Sequence, residues 1–201
     1  MIKTSAIPKT KLTAAEYLEF ERDSEIKHEY FNGGIFAMSG ATRNHNKITT
    51  NLNGLVWQHL KGKNCENYSS DMRVFVPETR LYTYPDLVVV CGEPQFQDDV
   101  FDTLLNPILL IEVLSDSTES YDRGKKFQHY RSIESLQEYV LVGQDEARIE
   151  KYVRHGDGFW LLSEAVGLDS EIEFSSIECR LALREVYDKI DFSEIDAEET
   201  Q

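Results

Sequence analysis

Two nearly continuous apolar runs constrain this chain more than anything else in it. They are Leu87–Val90 within "YPDLVVVC" and Ile108–Val113 within "NPILLIEVL". Runs of this kind read as strands covered on both faces, so the rest of the chain must supply a layer above and a layer below them. The second run holds one exception, Glu112. A carboxylate in such a strand costs several kcal/mol unless it is paired, protonated or bound to a metal.

The covering material is legible on either side. "TAAEYLEFER" opens with Thr13 and has Glu16 three residues on, the capping-box start of a short helix. "KHEYFNGGIFAM" is two β-type runs around Asn32-Gly33-Gly34, a hairpin signal. Ile48, Leu52, Leu55 and Val56 share one helical face, which predicts an amphipathic helix over 42–60. "ENYSSDMRVFV" reads as a further strand and "SYDRGKKFQHYRSI" as a helix. "EYVLV" and "ARIEKYV" read as strands joined by a turn around Gln144-Asp145-Glu146. "GFWLLSEAV" and "SEIEFSSIE" continue as strands or loops, and "RLALREVYDKI" as a closing helix. This order predicts an α/β (α+β) domain with a mixed central sheet flanked by helices. With 201 residues and 41% hydrophobic content, the chain supports one well-cored domain. The expected limits are 1–193, followed by a frayed acidic tail over 194–201.

Composition narrows the function classes. No stretch approaches the roughly 20 apolar residues of a membrane span, and "MIKTSAIPKTKL" lacks the apolar segment of a secretion signal. Cys65, Cys91 and Cys179 lie far apart without CxxC spacing, which predicts reduced thiols in a cytoplasmic protein. The net charge of −15 divides into +2 over residues 1–80, −8 over 81–163 and −9 over 164–201. Proteins that hold nucleic acid by general attraction are basic. Any such contact here must come from a local patch, and the N-terminal half is where one fits.

Glu112 has a counterpart. Asp86 follows Pro85 at the mouth of the first apolar run, and a short antiparallel connection would set it beside Glu112. Two carboxylates in one pocket repel each other. A divalent ion relieves that, and hard oxygen ligands suit magnesium or manganese. Such an ion can activate a bound water and stabilise charge on a phosphoryl group. A cation is also needed. At about 100° per residue, Phe127 and Tyr130 centre the buried face of their helix. Lys126 lies at its edge, Lys125 points away, and Arg123 falls near its centre. The plainer reading pairs Glu112 with Arg123; a metal site with Asp86 is the other. Tyr82 and Tyr84 read as packing residues before base-stacking ones. His28, His59, His129 and His155 show no ligand spacing and read as surface or core-edge residues. "LSDST" suits either a phosphate-contacting loop or a helix cap.

"YPD", "IEVLS" and "DRGKKFQHY" resemble the PD-(D/E)XK nuclease superfamily, and most of all its bacterial Uma-type, restriction-endonuclease-like branch. The resemblance extends over nearly the whole chain, including "HEYFNGGIFAMSG" and the histidine of "TRNHNKI". The wider superfamily carries lysine two residues after the acid, where this chain has Leu114; the branch relocates it to the helix that starts "DR", at Lys126. The resemblance implies a restriction-endonuclease-like core in which Asp86, Glu112 and the Val113 carbonyl bind Mg2+ or Mn2+. It implies that Lys126 orients the attacking water and that Glu29 and His45 are accessory site residues. The implied activity is hydrolysis of DNA phosphodiester bonds to leave a 5′-phosphate, with RNA as the other polymer such a site could take. Nucleases of this kind often cut two strands with two subunits, which implies a homodimer. The runner-up is a catalytically silent nuclease fold that binds nucleic acid or assembles with a partner.

Overall fold

A computed structural model describes residues 11–156 and 158–192. The first ten residues and the tail over 194–201 lie outside the described residues. Helix α1 (Ala14–Arg22) starts with both halves of the Thr13/Glu16 capping box in place. Strands β1 (His28–Phe31) and β2 (Gly34–Ala37) pair from His28↔Ala37 to Phe31↔Gly34. Their two-residue turn puts Asn32 at φ 51° and Gly33 at φ 88°, the left-handed pair that a tight hairpin requires. Helix α2 (Arg43–Leu60) is capped by Thr42 and buries Ile48, Leu52, Val56 and Leu60, one side of the cylinder.

Six strands follow: β3 (Cys65–Ser69), β4 (Arg73–Val76), β5 (Leu81–Thr83), β6 (Leu87–Cys91), β7 (Thr103–Leu104) and β8 (Leu109–Val113). A continuous helical segment comes next, made of α3 (Glu119–Tyr121), a π turn (Asp122–Lys126) and α4 (Phe127–Tyr130). Strands β9 (Glu138–Val142), β10 (Arg148–Arg154), β11 (Trp160–Val166), β12 (Glu171–Phe174) and β13 (Cys179–Ala182), then helix α5 (Leu183–Val186), complete the described order.

The spine is a six-stranded sheet in the order β11-β10-β9-β8-β6-β3. It is mixed, because β8 and β9 run parallel while the other neighbours are antiparallel. The two apolar runs of the sequence are its central β6 and β8, and successive residues serve opposite faces. Leu87, Val89, Leu109, Ile111 and Val113 pack with α2 in one core. Val88, Val90, Leu110 and Leu114 pack with Tyr130, Ile133 and Leu136 in the other. A second sheet, β2-β1-β5-β4-β7, contributes Val74, Val76 and Leu81 to that second core. Each fully buried aliphatic side chain contributes about 1.5–3 kcal/mol. Two-sided burial of β6 and β8 therefore anchors whatever their ends carry. Among the described residues, no helix is long and apolar enough to cross a membrane.

Several expectations are corrected. "ENYSSDMRVFV" is not one strand: β3 ends at Ser69, the chain turns, and β4 joins the other sheet. The first residues of "RLALREVYDKI" pair with β12 as β13, so the helix is confined to Leu183–Val186. The connection from β6 to β8 is not short, since it makes an excursion through β7. His28 is neither a surface nor a core-edge residue; it is fully buried, with Nδ1 3.0 Å from Glu21 Oε2. Cys65 and Cys91 are not free thiols. The β3–β6 register sets them directly opposite and they form a disulfide, which leaves buried Cys179 as the free cysteine. Their separation of 26 positions in sequence hid a neighbourhood that only strand pairing creates.

Candidate active site

The antiparallel register of β6 and β8 pairs Leu87 with Ile111. Carried one step outward, it sets Asp86 opposite Glu112. Pro85 ends the approach to β6 without needing a ladder donor, and the next residue delivers its carboxylate to the strand end. Asp86 Oδ2 accepts a hydrogen bond from the Val113 N–H at 2.8 Å and lies 3.2 Å from His45 Nε2. His45 stands in the first turn of α2, where its own N–H donates to the Thr42 hydroxyl. The Thr42 hydroxyl in turn donates to Gln144 Oε1 at 2.7 Å, tying the start of α2 to the turn after β9.

Glu112 is 5% exposed and points into the second core. Its Oε1 accepts a hydrogen bond from Tyr130 Oη at 2.7 Å and lies 2.9 Å from Lys126 Nζ. The same ammonium is 3.4 Å from Glu29 Oε1 and 3.3 Å from Asp122 Oδ1. Glu29 reaches in from β1 and accepts from the Thr83 hydroxyl at 2.5 Å. Strands β1, β5 and β8 and the π turn thus converge on one buried ammonium. Glu29 is drawn inward by that charge.

Lys126 is buried and Lys125 is exposed. Arg123 does not occupy the centre of the inner face: it is only half-buried and pairs with Glu119 and Glu150. The reason is the π turn over Asp122–Lys126, which breaks the 100° phase on which the sequence estimate relied. Glu112 therefore meets Lys126 and not Arg123.

Three groups at the site escaped the sequence reading: Asp122, Tyr130 and Thr83. The first two carried a signal, because Asp122, Lys126 and Tyr130 follow one another at four-residue spacing. Thr83 carried none, since it arrives from a strand in the other sheet. Tyr82 and Tyr84 are buried, and Tyr84 Oη donates to Glu21, so both serve packing. In "LSDST" the Ser115 carbonyl accepts from the N–H groups of Thr118 and Glu119, which opens the helical segment.

Burial drives the electrostatics. It pushes the Glu112 carboxyl up to about 8, with Lys126 opposing and the charges of Asp122 and Asp86 reinforcing the shift. Burial likewise raises Asp122 against the pull of Lys126. For Lys126, burial disfavours the charged form, but Glu112, Tyr130, Glu29 and Asp122 outweigh it and hold the ammonium protonated. For His45, burial works downward, while Asp86 and the Val113 backbone carbonyl raise the imidazole on balance. The site therefore has more carboxylate than it can neutralise, and one buried oxygen, Asp122 Oδ1, has no hydrogen bond among the described residues beyond its 3.3 Å ion pair with Lys126.

The oxygens that could receive a cation are those of Asp86, Glu112 and the Val113 carbonyl. Among the described residues, no group of three or more His, Cys, Asp or Glu side chains is assembled to hold a metal. Two carboxylates and a carbonyl are oxygen donors of the kind that a hard divalent ion takes, with water in its other positions.

The chain is 43% identical over 164 residues to "Uncharacterized protein sll1609" of Synechocystis sp., covering 82% of this chain and 93% of that one. It is 39% identical over 180 residues to "Uncharacterized protein slr1290" of the same organism, covering 90% and 93%. Its fold matches the crystal structure of "a putative nuclease belonging to DUF820" from Anabaena variabilis with a TM-score of 0.72. That match has 17% identity and covers 88% of this chain and 97% of that one. At that identity the likeness shows the fold, which is restriction-endonuclease-like. The family model described as "Uma2: Putative restriction endonuclease" matches residues 14–184, and the chain belongs to the Uma2 family.

Proposed function

We propose that this protein is a metal-dependent endonuclease that hydrolyses phosphodiester bonds in DNA. One observation carries the reading: Asp86 and Glu112 face each other at the ends of two central strands, with Lys126 Nζ 2.9 Å from Glu112. Asp86, Glu112 and the Val113 carbonyl would hold Mg2+ or Mn2+. When bound, that ion supplies a more acidic water and charge stabilisation at the phosphoryl oxygens.

The chain's own groups then divide the work. Lys126 donates from the buried side of Glu112 and fixes the position of the attacking water. Tyr130 holds Glu112 in one rotamer through its hydroxyl. Glu29 and Asp122 keep Lys126 charged and aimed. His45 fixes the orientation of Asp86. In-line attack breaks the bond to the 3′ oxygen and leaves the 5′-phosphate.

The same bonds support a second reading, a catalytically silent member that binds nucleic acid or a partner. Each acid is already engaged: Glu112 by Tyr130 and Lys126, Asp86 by Val113 and His45. Incubation with supercoiled plasmid and with labelled oligonucleotides, in Mg2+ or Mn2+, separates the two. The enzyme reading expects ion-dependent nicking that Glu112→Gln and Lys126→Ala each reduce at least 100-fold. Ion-dependent binding without any product over the same substrates favours the silent reading.

A further inference from the structure

A groove of about 510 Å³ is lined by Lys11, Phe31, Thr79, Arg80 and His129. Two short steps connect it to the site. Phe31 follows Glu29 by two residues on β1, so it shares that face of the strand. His129 follows Lys126 by three, so it shares that side of the helical segment. The Phe31 and His129 rings meet edge to face, with centroids 4.9 Å apart.

The charge of the groove is the reverse of the chain's. Among the described residues no Asp or Glu lines it, although the whole chain carries −15. Lys11 and Arg80 are both exposed, and among the described residues neither has an ion pair or side-chain hydrogen bond. Unpaired cations beside an exposed aromatic are the means by which a single nucleic-acid strand is held.

We propose that this groove is the track for the single strand that adjoins the scissile phosphate. Lys11 and Arg80 neutralise backbone phosphates, and the Phe31–His129 pair stacks a base. This rests on the nuclease reading and adds the direction in which the substrate leaves the site. It places the strand in the N-terminal half, the part of the chain whose charge balance is positive.

The test is fluorescence anisotropy with a labelled single-stranded DNA in EDTA, so that binding is read without cleavage. Because Lys11 and Arg80 are exposed and unpaired, the double variant Lys11→Glu/Arg80→Glu keeps the fold, and circular dichroism checks this. It is expected to bind at least tenfold more weakly, with the salt slope reduced by about 1.4, two phosphates at about 0.7 each. Phe31→Ala is expected to weaken binding about tenfold and leave the salt slope unchanged. Arg180→Glu/Arg184→Glu makes the same charge change on β13 and α5 and should stay within twofold of wild type. Groove variants that bind like wild type, a control that weakens as much as they do, or a wild type that binds no single strand would each overturn the proposal. Metal-dependent cleavage alongside any of those results would leave the nuclease reading standing. Groove-dependent binding by a protein that never cleaves would support the track and remove the nuclease.

Discussion

Lys126 Nζ lies 2.9 Å from Glu112 Oε1, and both side chains are more than nine-tenths buried. A buried carboxylate near the end of a central strand is tolerable because a buried ammonium from the π turn meets it. Neither charge would be stable there alone.

Lys126→Ala should therefore destabilise the metal-free protein, because Glu112, Asp122 and Glu29 lose their shared cation. Removing one partner of a buried pair costs about 3–5 kcal/mol. Urea denaturation in EDTA should show a loss near the lower end, since Glu112 can take up a proton. A loss below about 1 kcal/mol would mean that the ammonium is not the partner these contacts make it.

Asp102 offers a second test, away from the site. Its Oδ2 is 2.8 Å from Arg22 Nε and 2.8 Å from Arg73 Nη2. Burial favours the neutral acid, but the two guanidiniums outweigh it and hold the carboxyl far below its usual range. A depressed carboxylate contributes stability that is fully present above its unfolded pKa and lost as pH falls through the folded one. Asp102→Asn should cost about 2 kcal/mol at pH 7, a figure reduced for partial exposure. The gap from wild type should narrow as pH falls below about 4. A gap that is constant across pH would show that the loss is packing alone.

The Cys65–Cys91 bond ties edge strand β3 to β6 across a 26-residue separation. Closing such a loop stabilises by about 3.5 kcal/mol in the chain-entropy model. Cys65→Ser should lower the urea midpoint correspondingly, and thiol titration of the unfolded, unreduced protein should find one thiol, from Cys179. Three thiols would mean that the two cysteines lie paired in register without a bond.

What the sequence made legible follows from the range of each interaction. Local rules suffice for the Thr13/Glu16 cap, the Asn32-Gly33 turn and α2, because each depends on residues a few positions apart. The two-sided burial of β6 and β8 was equally plain, since it is written as an unbroken apolar run. The division of "ENYSSDMRVFV" between two sheets, the Cys65–Cys91 contact and Thr83's place at the site depend on strand order, which no local pattern encodes. The site itself was half visible. Asp86, Glu112 and Lys126 stood out as misplaced or phased residues, and the resemblance added Glu29 and His45. Arg123 was misplaced because a π turn violates the helical period by which it was placed.

Calorimetric titration of Mn2+ into wild type and into Glu112→Gln tests the proposed centre most directly, because it requires no substrate. Gln keeps the size of Glu112 and its bond to Tyr130 while removing the charge, so the fold should persist. The proposed site predicts saturable binding by wild type and at least a tenfold weaker affinity in the variant. Equal affinity in both proteins would contradict it: the ion would be held elsewhere, and Glu112 would be only the buried partner of Lys126.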